Sequence, residues 1–150
     1  MTELYFYHLQ QQPLEAVLPT LLEKSLERGW RVVVQAGSQE RVDSLDAHLW
    51  TYRDNSFLPH GAMTDSSAAE QPIWLTTTQD NPNAAVVRVL IDGATLPADA
   101  ANYARLMLIF DGNDPEAVAA AREQWKEGSA RGLEVAYWQQ SEEGRWQRKN

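Results

Sequence analysis

Three short runs in this chain are apolar almost without interruption: WRVVVQA from Trp30 to Ala36, AVVRVLI from Ala85 to Ile91 and RLMLIF from Arg105 to Phe110. Each ends at a glycine or an Asp-Gly pair. A strand with one face in water alternates apolar and polar side chains, whereas a strand covered on both faces does not need to. These runs therefore belong in a sheet sandwiched between other layers. Between and around them the apolar spacing changes from continuous to helical. Leu14, Val17, Leu18, Leu21, Leu22 and Leu26 mark a helix over Pro13 to Arg28 that Gly29 stops. Val42, Leu45 and Leu49 mark a second over Gln39 to Leu49, which Gly37 or Ser38 can cap.

The remaining elements continue the alternation. Leu4 to Leu9 opens the chain as an aromatic-rich strand, and Pro72 to Thr77 and Leu133 to Trp138 read as further strands. Asp114-Pro115-Glu116 is a helix start, because Asp accepts first-turn N–H groups, Pro is tolerated at the first helical position and acidic charge suits the positive helix end. That helix is expected to run to Glu127 or Gly128. Thr51 to Gln71 reads as a surface loop, and the tail SEEGRWQRKN as polar coil. With 43% hydrophobic residues in 150 positions, and no repeat or linker, residues 1–150 suffice for one core. The expectation is α/β: a single-domain Rossmann-like layered fold, with a mostly parallel central sheet flanked by helices.

Charge and composition exclude several roles. A formal net charge of -8 repels a polyanion on average, so no direct nucleic-acid contact is expected, and any anionic partner has to dock on a local cationic spot. Cysteine is absent, which removes disulfides, thiolate metal sites and a cysteine nucleophile. The opening MTELYFYHLQ lacks a cationic segment leading into an apolar one, and no stretch approaches the roughly 18 to 20 apolar residues of a membrane span. A soluble cytoplasmic protein, without membrane contact, is the expectation.

Catalytic patterns are equally sparse. After the second strand the chain reads QAGSQE, with one glycine and no lysine, so neither the phosphate-cradling GxxxxGK[ST] loop nor the GxGxxG turn is present. Ser38 there is either a plain helix cap or, through free N–H groups, an anion contact. His8, His48 and His60 are scattered without metal-ligand spacing, and no GxSxG elbow supports a serine nucleophile. Asp92 and Asp111 end strands, but each precedes glycine, the signature of a turn. No catalytic residue, cofactor or metal is expected. The rival reading is a nucleotide-binding or enzymatic doubly wound module with an atypical phosphate loop near Gly37 and Ser38.

Two clusters stand apart. In AREQWKEGSARG, Arg122, Trp125 and Lys126 fall at i, i+3 and i+4, stacking two cations and an aromatic on one helix face. Glu123 and Glu127 interleave with them, so the pattern fits a solvated helix as well as a binding face. In LWTYRDNSFLPHG, Trp50 and Phe57 either plug the end of the core or anchor a partner.

The FYHL strand, the run RVVVQAGSQERVDSLDAHLWTYRDNSFLPHG, the LIDGA strand end and the AREQWK helix followed by Gly132-Leu133 together resemble the chi subunits of bacterial DNA polymerase III holoenzyme. The likeness runs in order over nearly the whole chain. It implies a non-catalytic adaptor that links the clamp loader to single-stranded DNA-binding protein, gripping the acidic C-terminal tail of that protein, which ends in phenylalanine. On that likeness Arg122, Trp125 and Lys126 match the family's cation, aromatic and cation, while Val118 stands where a lysine is used. Arg131 is the candidate replacement. The chemistry agrees: a terminal phenylalanine needs an apolar recess, its carboxylate a fixed donor such as Arg122, and the preceding aspartates the diffuse positive charge of Lys126 and Arg131. The resemblance also implies a contact with the psi subunit or an equivalent. Phe57 is placed there, with Trp50 and Phe110 near the same region.

Overall fold

The computed structural model describes residues 2–10, 12–51, 61–62, 71–142 and 145–149, the side chains of residues 50, 51, 61 and 62 excepted. The elements are β1 (Glu3–Leu9), α1 (Leu14–Glu27), β2 (Val32–Gln35), α2 (Gln39–Thr51), β3 (Gly61–Ala62), β4 (Ile73–Thr76), β5 (Val87–Leu90), β6 (Arg105–Asp111), α3 (Pro115–Ala130), β7 (Glu134–Gln140) and β8 (Trp146–Arg148). They form one eight-stranded sheet in the order β3-β4-β2-β5-β6-β1-β7-β8. Every pairing is parallel except the antiparallel β7–β8 pair. The sandwiched parallel sheet read from the apolar runs is therefore the architecture.

Strand alternation splits the core into two layers. Tyr7, Leu9, Val32, Val34, Val87, Val89, Met107 and Ile109 point to the side of α1 and α2. Leu4, Phe6, Val33, Leu90, Leu106, Leu108 and Phe110 point to the other side, where α3 and the segment around Leu96 and Tyr103 lie. Burying such side chains contributes about 1.5–3 kcal/mol each.

Two elements differ from the sequence expectations. The polar tail supplies β8, held by Trp146, whose ring meets Tyr7 edge-on at 5.0 Å. One apolar anchor in a three-residue strand leaves no periodicity to detect. The two-residue β3 falls within the stretch expected to be loop. Helix α3 also runs past Gly128. That glycine is buried, and a Cβ on it would sit 2.4 Å from Leu4 Cδ2, so it lets the helix settle onto β1. The stop is Gly132, at φ +80, where the Leu133 N–H returns to the Gly128 carbonyl at 3.0 Å.

Candidate functional site

Helix α3 begins as its sequence requires. Asp114 accepts from the Glu116 N–H at 3.0 Å and Pro115 occupies the first turn. The alanine-rich AVAAA that follows is a strong helix former. Ala117, Val118, Ala121 and Trp125 then lie against the sheet. Trp125 is half-buried, its ring 5.2 Å from Phe6 and 6.0 Å from Tyr137. Tyr137 in turn meets His8 and Phe110 at 5.7 and 6.2 Å, and its hydroxyl bonds His8 Nδ1. Five rings from α3, β1, β6 and β7 thus make one aromatic cluster under the helix, with Phe6 and Phe110 buried and Trp125, Tyr137 and His8 partly exposed.

The cations flank this patch. Arg122 is exposed and close enough to Tyr137 for its positive charge to act on the hydroxyl: burial raises the phenol above its ordinary value and Arg122 pulls it back down. Lys126 lies 3.5 Å from Glu123, with both side chains largely in water, so this pair costs little to break. Val118, half-buried, prolongs the apolar wall one turn earlier. Arg131 is elsewhere. It donates to Glu127 at 2.9 Å and to the Pro97 carbonyl at 2.7 Å, and nine residues at roughly 100° each place it half a turn from Arg122. The fold brings Arg122, Trp125 and Lys126 together and leaves Arg131 out.

Of the second expected cluster, only Phe110 has a described side chain. Trp50 sits in the last turn of α2, and Phe57 lies outside the described residues. Phe110 is 8% exposed and faces the α3 side of the sheet, against His8 and Tyr137. The sheet separates it from the face that α2 covers. Its place in the register, five residues along β6 from Arg105 and opposite His8 of β1, gives it to the patch under α3.

A crevice of about 940 Å³ opens at the carboxyl ends of β1, β5 and β6, where a doubly wound fold would hold a nucleotide. Among the described residues Glu15, Asp92, Asp111, Asp114, Glu116 and Glu123 line it, against a single lining cation, Arg41, which is already paired with Glu15 at 2.9 Å. Phosphate would enter a negative field. The Gly37-Ser38 turn is also occupied by the protein itself. Ser38 Oγ donates to Asp92 Oδ2 at 2.9 Å and accepts from the Arg41 N–H at 3.2 Å, capping α2. A Cβ on Gly37 would lie 2.0 Å from the Asp92 carbonyl oxygen, so that backbone is packed and no cradle forms. Asp111 serves its turn, accepting from the Asn113 N–H at 2.9 Å. The rival nucleotide reading loses its loop. Among the described residues no group of three His, Asp or Glu side chains is placed to hold a metal, and no helix is long and apolar enough to cross a membrane.

Sequence reasoning did not find the ring partners of Trp125. Phe6, His8, Phe110 and Tyr137 come from three strands, and only the parallel register of β6, β1 and β7 aligns them. The one available signal was the aromatic density of β1.

The family described as "DNA polymerase III chi subunit, HolC" matches residues 1–136. A protein of Rickettsia prowazekii named "Probable DNA polymerase III subunit chi" is 32% identical over 91 residues, covering 61% of this chain and 55% of that protein. The alignment thus spans about half the length of that relative. A second, from Pseudomonas aeruginosa and named "DNA polymerase III subunit chi", is 23% identical over 130 residues, covering 84% of this chain and 88% of its own.

Proposed function

Because this chain belongs to the DNA polymerase III chi subunit family, an accessory subunit of the replication machinery, we propose that it is a non-catalytic adaptor. Its α3 flank grips the acidic, phenylalanine-ended C-terminal tail of single-stranded DNA-binding protein. Its other contacts join it to the clamp loader through psi or an equivalent subunit. The observation that carries this reading is the half-buried Trp125 braced on Phe6 and Tyr137 with Arg122 alongside, an apolar wall beside an exposed guanidinium. The phenylalanine ring lies against Trp125 and Val118. Its terminal carboxylate takes the Arg122 guanidinium, and Lys126 offers diffuse charge to the preceding aspartates. Losing the lysine at position 118 shifts affinity from charge toward ring contact.

Calorimetry with the tail peptide tests the assignment. Arg122→Ala should weaken binding roughly tenfold or more, since a hydrogen bond to a charged group contributes about 1.5–3 kcal/mol. Lys126→Glu should weaken it less, and both variants should keep wild-type unfolding midpoints. Wild-type affinity in both variants would remove the site.

A further inference from the structure

On the opposite sheet face a groove of about 210 Å³ runs between the last turns of α1 and the β7–β8 hairpin. Its walls are rings, from Tyr7, Trp30, Trp138 and Trp146, and its cations are Lys24, Arg28 and Arg105. These positions are scattered through the sequence, and the groove concentrates three of the 13 lysines and arginines of a chain whose net charge is -8. Arg28 lies 4.9 Å over the Trp30 ring, and Arg105 lies 4.4 Å over Tyr5 and 5.2 Å over Trp30. Arg105 spends two donors on Glu3, at 2.9 and 3.3 Å. Lys24 and Arg28 close no ion pair among the described residues.

We propose that this groove binds single-stranded nucleic acid, with bases against the tryptophan rings and backbone phosphates on Arg28, Lys24 and the remaining donors of Arg105. Rings and cations occur there in nearly equal number, as bases and phosphates do along a strand. An acidic peptide supplies the anions but few flat faces, and a duplex hides its bases from the rings. The acidic remainder of the surface confines contact to a nucleotide or two, so binding is weak alone and useful when a partner holds the strand nearby.

The groove lies on the α1 side of the sheet, across from Arg122 and Trp125, which makes the test independent of the tail reading. The full chain is titrated at low salt with a short oligothymidylate, following tryptophan fluorescence, beside a duplex and the phenylalanine-ended acidic peptide. Saturable quenching by the single strand is expected, with log affinity falling against log salt at a shallow slope of about -1, as one or two neutralised phosphates require. Arg28→Glu should lower the affinity roughly tenfold or more, and Trp146→Ala roughly tenfold. Arg122→Ala should leave it unchanged. The proposal fails if the single strand gives no saturable quench, or if the duplex binds as well. It also fails if Arg28→Glu, still folded by circular dichroism, binds like wild type, if Arg122→Ala abolishes binding, or if Arg28→Glu removes peptide binding alone.

Discussion

Arg88 is fully buried, and all of its donors are taken by neutral acceptors: the Tyr103 hydroxyl, Gln35 Oε1 and the carbonyls of Thr78, Gln79 and Asp80. It straps the turn after β4 onto β5. In the sequence it was a single charge inside an apolar run, and nothing in AVVRVLI says what it holds. Arg88→Leu should cost roughly 3 kcal/mol in urea unfolding, because two buried side-chain acceptors and three turn carbonyls lose their donor at once; a cost near zero would mean those acceptors reach water. His8 carries a second residue-scale consequence. Burial holds its imidazole below the ordinary value of 6.5, and Asp111 partly offsets this. Tyr137 and Phe110 complete its surroundings, with Arg122 beyond the phenol. With the folded value below the unfolded one, His8 costs nothing above 6.5, and stability is lost as pH falls from there through the folded value. The melting temperature should therefore drop less on acidification in His8→Asn than in wild type. By contrast Arg122, Trp125 and Lys126 were legible, since one helix period places them together.

Among the elements, the α1–α2 contact shows how a sequence irregularity is answered in space. Pro19 lies inside α1 and has no N–H for the Glu15 carbonyl four residues back. His48 of α2 supplies one, its Nε2 standing 2.7 Å from that oxygen, which assigns the proton to Nε2. His48→Ala should cost about 1 kcal/mol, and less in a Pro19→Ala background, where the helix regains its own donor. Additive losses in that double-mutant cycle would refute the link. Helix α3 depends on its cap in the same local way: Asp114→Ala should cost about 1 kcal/mol by chemical denaturation. Three helices and six strands could be read from spacing, because long apolar runs and helical periods are local signals. Strand β8 could not, since only the packing of Trp146 on Tyr7 makes a strand of it. Nor could the end of α3, where Gly128 reads as a stop until Leu4 is seen beneath it.

At the scale of the molecule, charge is sorted rather than spread. The crevice at the strand ends gathers six carboxylates among the described residues, while Arg122 stands beside Tyr137 on the α3 flank and Arg28 over Trp30 across the sheet. A net charge alone reports only the average of these regions. Tail binding should weaken in moderate salt, because Arg122 and Lys126 are exposed and screened. The central claim, that the tail docks on α3, is tested most directly by the tryptophan indole N–H signals of the labelled chain during titration with the tail peptide. The six tryptophans are separate reporters, and Trp125→Phe identifies the one that matters. The account predicts that the Trp125 signal shifts saturably, that Trp30, Trp138 and Trp146 stay in place, and that removing the terminal phenylalanine abolishes the shift. An unmoved Trp125 beside a shifting Trp30 or Trp146 would contradict it.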